Sequence, residues 1–215
     1  MDNKALQTRL VEGAAALGVT LPERAASLLL RYSAELLRWN AKVNLTAITD
    51  PAEVVEKHLL DSLAVAAEVA GAGTLLDMGC GAGLPGLPLK VLQPELRVTL
   101  VDSVAKKVGF VKAAAAALGL QGITAVHQRL AGHPDAEGLP RAGAVISRAF
   151  TELTEFLPLA APYLAEPGGR VVAMLGKAPQ DPASAAARAG LQLQAVRRYA
   201  LPFSGAERHV AVFQR

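Results

Sequence analysis

The sequence predicts an α/β fold in which a mostly parallel sheet follows a helical N-terminal region. Up to residue 70 the apolar residues recur at helical spacing, whereas from residue 74 short apolar strands alternate with helical segments, a pattern typical of parallel βαβ units. The predicted strands are 74–78, 97–102, 123–127, 143–147, 169–175, 191–200 and 207–213, with helices near 86–92, 104–118 and 152–164 and a weaker helical stretch after Asp181. We therefore expect a helical N-terminal extension over residues 1–70 and a sheet domain over residues 71–215.

Two helix starts can be placed in the N-terminal region. Thr20 and Glu23 have the spacing of a capping box, in which each side chain bonds to the backbone N–H of the other residue. Farther along, Asp50 can cap a helix whose first position is Pro51, with Glu53 three residues after the cap. Both starts lead into amphipathic helices that should pack one face on the core.

The composition is that of a globular protein with one dominant core. Hydrophobic residues form 52% and charged residues 19% of the 215-residue chain, which excludes an intrinsically disordered protein. The single cysteine, Cys80, cannot form an internal disulfide, so the cytoplasm is the expected compartment. No apolar run approaches the ~20 residues of a membrane span, and no spacing of His and Cys indicates zinc. We expect a monomer without a membrane anchor or a metal.

Charge is unevenly distributed along the chain. Residues 1–70 carry 7 basic and 9 acidic side chains, a net charge of −2, and residues 71–215 carry 15 and 10, a net charge of +5. An anionic partner would therefore favour the second part. A scattered solvated surface accounts for this excess equally well, so charge alone leaves the partner open.

The most informative segment is 74–86, where an apolar strand leads into a glycine-rich loop. Glycine permits positive φ angles and lets a ligand approach the backbone closely. Two ligand-binding patterns overlap in this loop. The dinucleotide motif G-x-G-x-x-G is matched by Gly81, Gly83 and Gly86, and the motif D-x-G-x-G by Asp77, Gly79, Gly81 and Gly83.

Asp77 distinguishes between the two ligands. A carboxylate at the strand end would repel the pyrophosphate of a dinucleotide, but it suits the ammonium group of S-adenosylmethionine. The next strand ends in Asp102, about 20 residues past the loop, where a carboxylate that accepts both ribose hydroxyls is expected. Alone, Asp102 could be an ordinary helix cap, but the combination predicts a Rossmann-like S-adenosylmethionine methyltransferase.

The end of the fourth predicted strand bears on which atom is methylated. Methyltransferases that act on exocyclic base amines usually carry Asn or Asp followed by two prolines there, and Ser147-Arg148-Ala149 is not that motif. Methylation of a pyrimidine carbon needs a cysteine nucleophile, but Cys80 lies inside the glycine loop. A ring nitrogen such as guanine N7 needs neither a nucleophile nor a general base, because its lone pair attacks the methyl group directly. Positioning and electrostatics then carry the rate.

Further motifs are spread along nearly the whole chain. They are Trp39-Asn40, Asn44-Leu45-Thr46, His58 with Asp61-Ser62, the segment 77–86, Val101-Asp102-Ser103, the segment 145–150 and Glu207-Arg208-His209. With these motifs the chain resembles the bacterial small-subunit ribosomal RNA guanine-N7 methyltransferases, also called glucose-inhibited division protein B. The resemblance implies a class I methyltransferase fold, S-adenosylmethionine as cofactor and transfer of a methyl group to guanine N7 in 16S ribosomal RNA, taken as free RNA or as the small ribosomal subunit.

The resemblance also implies site residues. Arg148 would orient the cofactor and the guanine without acting as a general base. In this family an acidic residue commonly follows the Arg129 position by two or three, where this chain has Ala131 and Gly132. Cofactor contacts are expected at Gly79, Leu84, the Leu130-Ala131 backbone and Arg148, in addition to Asp77, Gly81, Gly83 and Asp102.

Four residues are candidates for RNA contacts, because most of them follow predicted strands or lie in late loops around one sheet edge. These are Arg129, Lys177, Arg208 and His209. Arg208 or His209 could equally hold the C-terminal region in place. Family members tend to have Lys-Gly where this chain has Gly176-Lys177, so the role of Lys177 stays open.

Two pairs in the N-terminal region have structural interpretations. His58 and Asp61 lie one helical turn apart and are expected to form a local pair that holds the N-terminal helices over the cofactor. Asn40 and Asn44 flank a predicted helix end, where short amides satisfy backbone groups, and RNA contact is the alternative.

Two other functions remain open. A methyltransferase that acts on a small molecule or a protein would carry the same loop but bind RNA with little salt dependence. A non-catalytic ribosome-assembly factor would keep the fold without binding the cofactor, and the intact Asp77, glycine loop and Asp102 argue against it.

Overall fold

The computed structural model describes residues 2–148, 152–165 and 168–215. A π-helical segment covers Val55–Leu60, and 3-10 turns lie at Ala67–Val69 and Ala161–Tyr163. The α-helices are α1 (Asn3–Ala16), α2 (Glu23–Val43), α3 (Pro51–Val54), α4 (Asp61–Leu63), α5 (Gly86–Leu92), α6 (Ala105–Ala117), α7 (Pro134–Glu137), α8 (Leu153–Ala160) and α9 (Pro182–Arg188).

Within these ranges the strands form one seven-stranded sheet in the order β3-β2-β1-β4-β5-β7-β6. They are β1 (Thr74–Met78), β2 (Arg97–Asp102), β3 (Ile123–His127), β4 (Ala144–Arg148), β5 (Arg170–Leu175), β6 (Gln192–Ala200) and β7 (Glu207–Gln214). The first five pair in parallel, and β7 is antiparallel to both β5 and β6. The predicted α/β class and the Rossmann-like sheet are confirmed, and the ends of β4 to β7 differ from the prediction by one residue.

Of the two helix starts predicted in the N-terminal region, the structure confirms one. The Asp50 side chain accepts a hydrogen bond from Glu53 N at 2.9 Å, with Pro51 in the first turn of α3, as predicted. The capping box at Thr20 and Glu23 is wrong. α2 begins at Glu23 itself after Pro22, whose backbone is extended and whose side chain makes no capping bond. A reciprocal pair would need Glu23 to be the third helical residue.

Packing on the two faces of the sheet follows the alternation of strand side chains. Leu75 and Leu100 belong to a buried cluster with the N-terminal helices, α5 and α6. Leu76 and Val101, the next residues along the same strands, belong to a second cluster with α8 and α9. The N-terminal helices therefore share a core with one face of the sheet.

No helix in the part of the chain that the structure describes is long and apolar enough to cross a membrane.

Candidate active site

Three of the predicted site residues lie at the edge of the sheet where the parallel strands end. β1 lies between β2 and β4, so the strand order reverses beside it, and open α/β sheets bind ligands at such a point. Asp77 lies in β1, Asp102 ends β2 and Arg148 ends β4. The topology thus gathers three charged side chains that are far apart in sequence.

Asp77 is fully buried, with one carboxylate oxygen bonded and the other without a partner. Oδ2 accepts a hydrogen bond from Gly86 N at 2.8 Å, at the start of α5. Oδ1 has no hydrogen-bond partner among the described residues. Burial raises the pKa of Asp77 to about 7, although the Gly86 amide and nearby Arg148 act to lower it. An unpaired buried acceptor is costly, so a cationic donor placed at Oδ1 would be strongly favoured.

The glycine loop has the backbone that its sequence suggests. Gly79, Gly81 and Gly83 have φ angles of 69°, 57° and 83°. Residues that carry a side chain rarely adopt such positive φ angles. A Cβ on Gly81 would point into open space, whereas one on Gly83 would lie 2.6 Å from Cδ1 of Leu87. Gly81 therefore leaves room for a ligand, and Gly83 is needed for packing.

Asp102 fastens this loop to the second strand. Its Oδ2 accepts from Gly81 N at 2.8 Å, and its Oδ1 accepts from Val104 N at 2.8 Å. Each carboxylate oxygen has a second lone pair, so the side chain retains the acceptors that a ribose diol needs.

Helix α2 supports the loop from the other side. The Tyr32 hydroxyl donates to Ala82 O at 2.7 Å, and Leu84, predicted as a cofactor contact, is buried in the same core. No local sequence pattern marks this role of Tyr32, because its backbone acceptor lies fifty residues away in the chain. Cys80 is 2% exposed and burial raises the pKa of its thiol, so it does not provide a thiolate nucleophile.

The loop after β3 obtains a carboxylate from a residue that the motif did not include. Oε1 of Glu137, in α7, accepts from Ala131 N and His133 N, both at 3.0 Å. Oε2 accepts from the Tyr163 hydroxyl at 2.6 Å. Glu137 therefore holds the backbone of Ala131 and His133 in the loop after β3.

Arg148 reaches from β4 to the N-terminal helices. Its Nη1 donates to Lys57 O at 3.1 Å and lies 3.3 Å from Nδ1 of His58 and 3.6 Å from Oδ2 of Asp61. Nε2 of His58 lies 2.8 Å from Oγ1 of Thr46. Burial and Arg148 lower the pKa of His58 to about 4, so the imidazole is neutral at pH 7. His58 and Asp61 are therefore linked through Arg148 and not directly to each other.

A cleft of about 360 Å³ opens beside Arg148, at the ends of β4, β5 and the β6–β7 hairpin. Its apolar walls are Ile48, Met174 and Leu175. Its charged lining consists of Lys57, Asp61, Arg148 and Arg208, and Tyr199 also lines it. Three cations and one carboxylate make it a basic cleft.

The predicted RNA contacts fall into different environments. Arg129 and Lys177 are exposed, and Arg208 is half-buried in the cleft with Nε 3.7 Å from Oδ1 of Asp61. His209 is 5% exposed, and its Nε2 lies 3.5 Å from Oε1 of Glu207. A direct contact between His209 and RNA would require this side chain to be uncovered.

Other singled-out residues have structural roles. Oδ1 of Asn40 accepts from Leu45 N at 2.7 Å and Thr46 N at 2.9 Å, while Asn44 ends α2 in the left-handed conformation. Of the segment 145–150, Ala149 and Phe150 lie outside the described residues. In the ranges that the structure covers, no group of three or more His, Cys, Asp or Glu side chains is arranged to hold a metal ion.

Comparisons with known proteins extend this picture to the whole chain. Residues 25–211 match the family described as GidB, rRNA small subunit methyltransferase G. A relative from Myxococcus xanthus, named Ribosomal RNA small subunit methyltransferase G, is 60% identical, and the match covers 100% of both chains. A relative of the same name from Anaeromyxobacter dehalogenans is 51% identical over 98% of both chains.

The solved structures that match this chain are similar to it in fold alone. The magnesium protoporphyrin IX methyltransferase from Synechocystis PCC 6803 with bound S-adenosylmethionine has a TM-score of 0.61 at 17% identity, with 91% of this chain and 98% of that chain covered. The full-length relatives carry the identification, and the resemblance seen in the sequence motifs is confirmed. On this basis the chain belongs to the ribosomal RNA small subunit methyltransferase G family.

Proposed function

We propose that the chain transfers a methyl group from S-adenosylmethionine to N7 of a guanine in 16S ribosomal RNA. One observation carries the proposal: the chain is alike over its full length, at 60% identity, to a protein named Ribosomal RNA small subunit methyltransferase G. The choice of guanine N7 follows from the family resemblance and from the lack of an amine-methylation motif at Ser147-Arg148-Ala149.

The glycine-loop side of the sheet edge fits the cofactor. The unpaired Oδ1 of Asp77 is a buried acceptor suited to an ammonium group, and the open space at Gly81 leaves room beside the backbone. Asp102 would accept the ribose hydroxyls. Gly79, Gly83, Leu84 and the Leu130-Ala131 backbone would form the rest of the wall.

Bound S-adenosylmethionine supplies an electrophilic methyl group on a sulfonium sulfur. The protein needs no base to activate guanine N7, because that nitrogen carries a lone pair and no proton. Arg148, close to both Asp77 and the basic cleft, would orient the reacting groups through its rigid fork of donors. The buried Cys80 thiol takes no part.

RNA would approach over the positively charged part of the chain. Arg129 and Lys177 are exposed cations that would contact phosphates, and Arg208 lies inside the cleft. Because RNA bases are read when unstacked, the target guanine would come from a loop or a flipped position. We further propose that the protein acts as a monomer in the cytoplasm, with residues 1–70 as an extension that covers the cofactor side of domain 71–215.

Methylation with labelled S-adenosylmethionine tests the proposal. Free 16S RNA, small subunits and whole ribosomes would be compared as substrates, and the labelled base would be mapped. The expected result is one N7-methylguanine in 16S RNA. Label in a protein or a small molecule, or cofactor binding without any transfer, would contradict it, and failure to bind the cofactor would favour a non-catalytic assembly factor.

A further inference from the structure

The basic cleft combines hydrogen-bonding groups that match one edge of guanine. Asp61 is 4% exposed and lines the cleft at the end of the π-helical segment, and Arg208 enters from the start of β7. The Tyr199 hydroxyl donates to Oδ1 of Asp61 at 2.8 Å and fixes the carboxylate. A carboxylate acceptor beside a guanidinium donor is the complement of a guanine Watson–Crick edge, which presents two donors, N1–H and the 2-amino group, beside the acceptor O6.

The distances between the charged groups of the cleft are too long for hydrogen bonds, so their donors and acceptors remain available to a ligand. Arg148 and Arg208 lie 3.6 Å and 3.7 Å from the Asp61 oxygens, beyond hydrogen-bond distance. Each guanidinium has five N–H donors, and Arg208 donates from Nη1 to Glu207 O at 2.9 Å. The arrangement therefore offers further acceptors and donors to a ligand whose edge lies against both groups.

We infer that this cleft holds the target guanine by its Watson–Crick edge, with Asp61 accepting from N1–H and the 2-amino group and Arg208 donating to O6. This inference rests on the proposed function and specifies its substrate site. Ile48, Met174 and Leu175 supply apolar walls for the base, and the volume of about 360 Å³ lies within the usual range of ligand sites, about 300–1,000 Å³.

Recognition at this edge leaves the reacting atom accessible. N7 lies on the opposite side of the purine from N1 and the 2-amino group. Its lone pair forms the new bond to the methyl carbon as the carbon–sulfur bond breaks, the bonding electrons pass to sulfur, and no proton leaves. The base becomes a cation and N1–H becomes more acidic, so its hydrogen bond to Asp61 strengthens in the transition state, which is how binding accelerates a reaction.

The same groups reject adenine. Adenine presents an acceptor at N1, which would face the Asp61 carboxylate, and an amino group at C6, which would face Arg208. Both encounters leave buried polar groups unpaired, and a site built to hydrogen-bond one partner discriminates strongly against an analogue without the matching group.

The test compares guanine with inosine, which keeps N7, O6 and N1–H but lacks the 2-amino group. After the methylated position has been mapped, RNA carrying either base there would be methylated by wild-type protein under single-turnover conditions. We expect inosine to react about 10- to 100-fold more slowly, because it loses a hydrogen bond to a charged acceptor. Equal rates would overturn the inference while leaving the proposed function intact, whereas a wild-type protein inactive on both RNAs would overturn the proposed function and this inference with it.

A variant assigns the discrimination to Asp61. In Asp61→Asn the amide keeps its oxygen toward Tyr199 and turns its NH₂ into the cleft, so the guanine-to-inosine rate ratio should fall toward one. The control is Glu68→Gln, which alters another arginine-paired carboxylate, bonded to Arg197, outside the cleft lining. If Asp61 had a purely structural role, Asp61→Asn would slow the methylation of both RNAs equally. An unchanged guanine-to-inosine rate ratio in the folded variant would therefore overturn the assignment. If Asp61→Asn does not fold, the inosine comparison in wild-type protein still decides the question.

Discussion

The two halves of the sheet edge are built in different ways. At the glycine loop, Asp77 and Asp102 are held by backbone N–H groups of Gly86, Gly81 and Val104. In the basic cleft, side chains hold one another, with Asp61 between Tyr199, Arg148 and Arg208. Side chains fixed by the backbone would suit a cofactor that is the same for every substrate, whereas a network of side chains from separate segments can be adapted to a particular substrate.

Among the predicted effects, replacement of Gly81 should weaken cofactor binding at the glycine loop the most. In Gly81→Val the branched side chain would occupy the open space beside the loop, so S-adenosylmethionine affinity should fall at least about 100-fold, or roughly 2.8 kcal/mol, while the sheet stays folded. Isothermal titration and thermal melting would measure this.

Gly119→Val is the matched control for that change. Gly119 has φ +68° and also faces open space, so it suffers the same backbone strain in the turn between α6 and β3. Retained cofactor affinity in Gly81→Val would show that the loop faces away from the ligand.

Loss of the Asp102 carboxylate should have the next largest effect. Asp102→Ala would remove the two charge-assisted hydrogen bonds proposed to the ribose, each about 1.5–3 kcal/mol before compensation, and it also removes the acceptor of the Gly81 amide. We expect the dissociation constant for S-adenosylmethionine to rise about 10- to 100-fold. Asp135→Ala, which removes an exposed carboxylate paired with Arg141, should leave it unchanged. An unaltered constant in folded Asp102→Ala would remove Asp102 from the ribose site.

Arg148 joins the two halves, so a conservative change there should affect rate more than binding. Lysine in Arg148→Lys cannot reproduce the donor fork, and the single-turnover methylation rate should fall about tenfold, or ~1.4 kcal/mol. Arg141→Lys is the control, because Arg141 forms an exposed pair with Asp135 outside the cleft lining. A folded Arg148→Lys variant with a normal rate would exclude an orienting role.

A smaller effect should appear in the pH dependence of cofactor affinity. Burial raises the pKa of Asp77 to about 7, so the carboxylate is lost as the pH falls through 7, and with it the attraction for an ammonium group. Affinity should therefore drop about threefold between pH 7.5 and 6.5. In Asp77→Asn, affinity should be weaker and nearly independent of pH over this interval. A wild-type affinity that rises on acidification would contradict the assignment of Asp77 to the ammonium group.

The sequence predicts that Asp77, the glycine loop and Asp102 lie close together, because these residues belong to one βαβ unit, and the structure places them so. Asp77, the glycines and Asp102 follow two consecutive strands, and their spacing alone determines that they meet. The residues of the basic cleft could not be predicted from sequence spacing in this way. Asp61 and Tyr199 are 138 residues apart, and no local pattern marks contacts between a π-helical segment and a C-terminal hairpin.

Two local details were also out of reach of the sequence pattern. The apolar positions after Asp50 suit an α-helix as well as the observed π-helical segment, so periodicity does not distinguish them. The carboxylate of Glu137 reaches Ala131 N because α7 folds back over the loop, whereas the motif placed the acid within three residues of Arg129. The cap at Asp50 was predictable because it depends on neighbours in the chain.

The most direct test of the division between the two halves uses Asp102→Ala and Arg208→Gln in parallel. For each variant, the S-adenosylmethionine dissociation constant and the single-turnover methylation rate on small subunits at saturating cofactor would be measured on one preparation. Asp102→Ala should raise the dissociation constant and leave the saturated rate near that of the wild type, and Arg208→Gln should do the reverse. If Arg208→Gln weakens the cofactor as much as Asp102→Ala does, or if both variants lower the saturated rate equally, the two halves do not carry separate tasks.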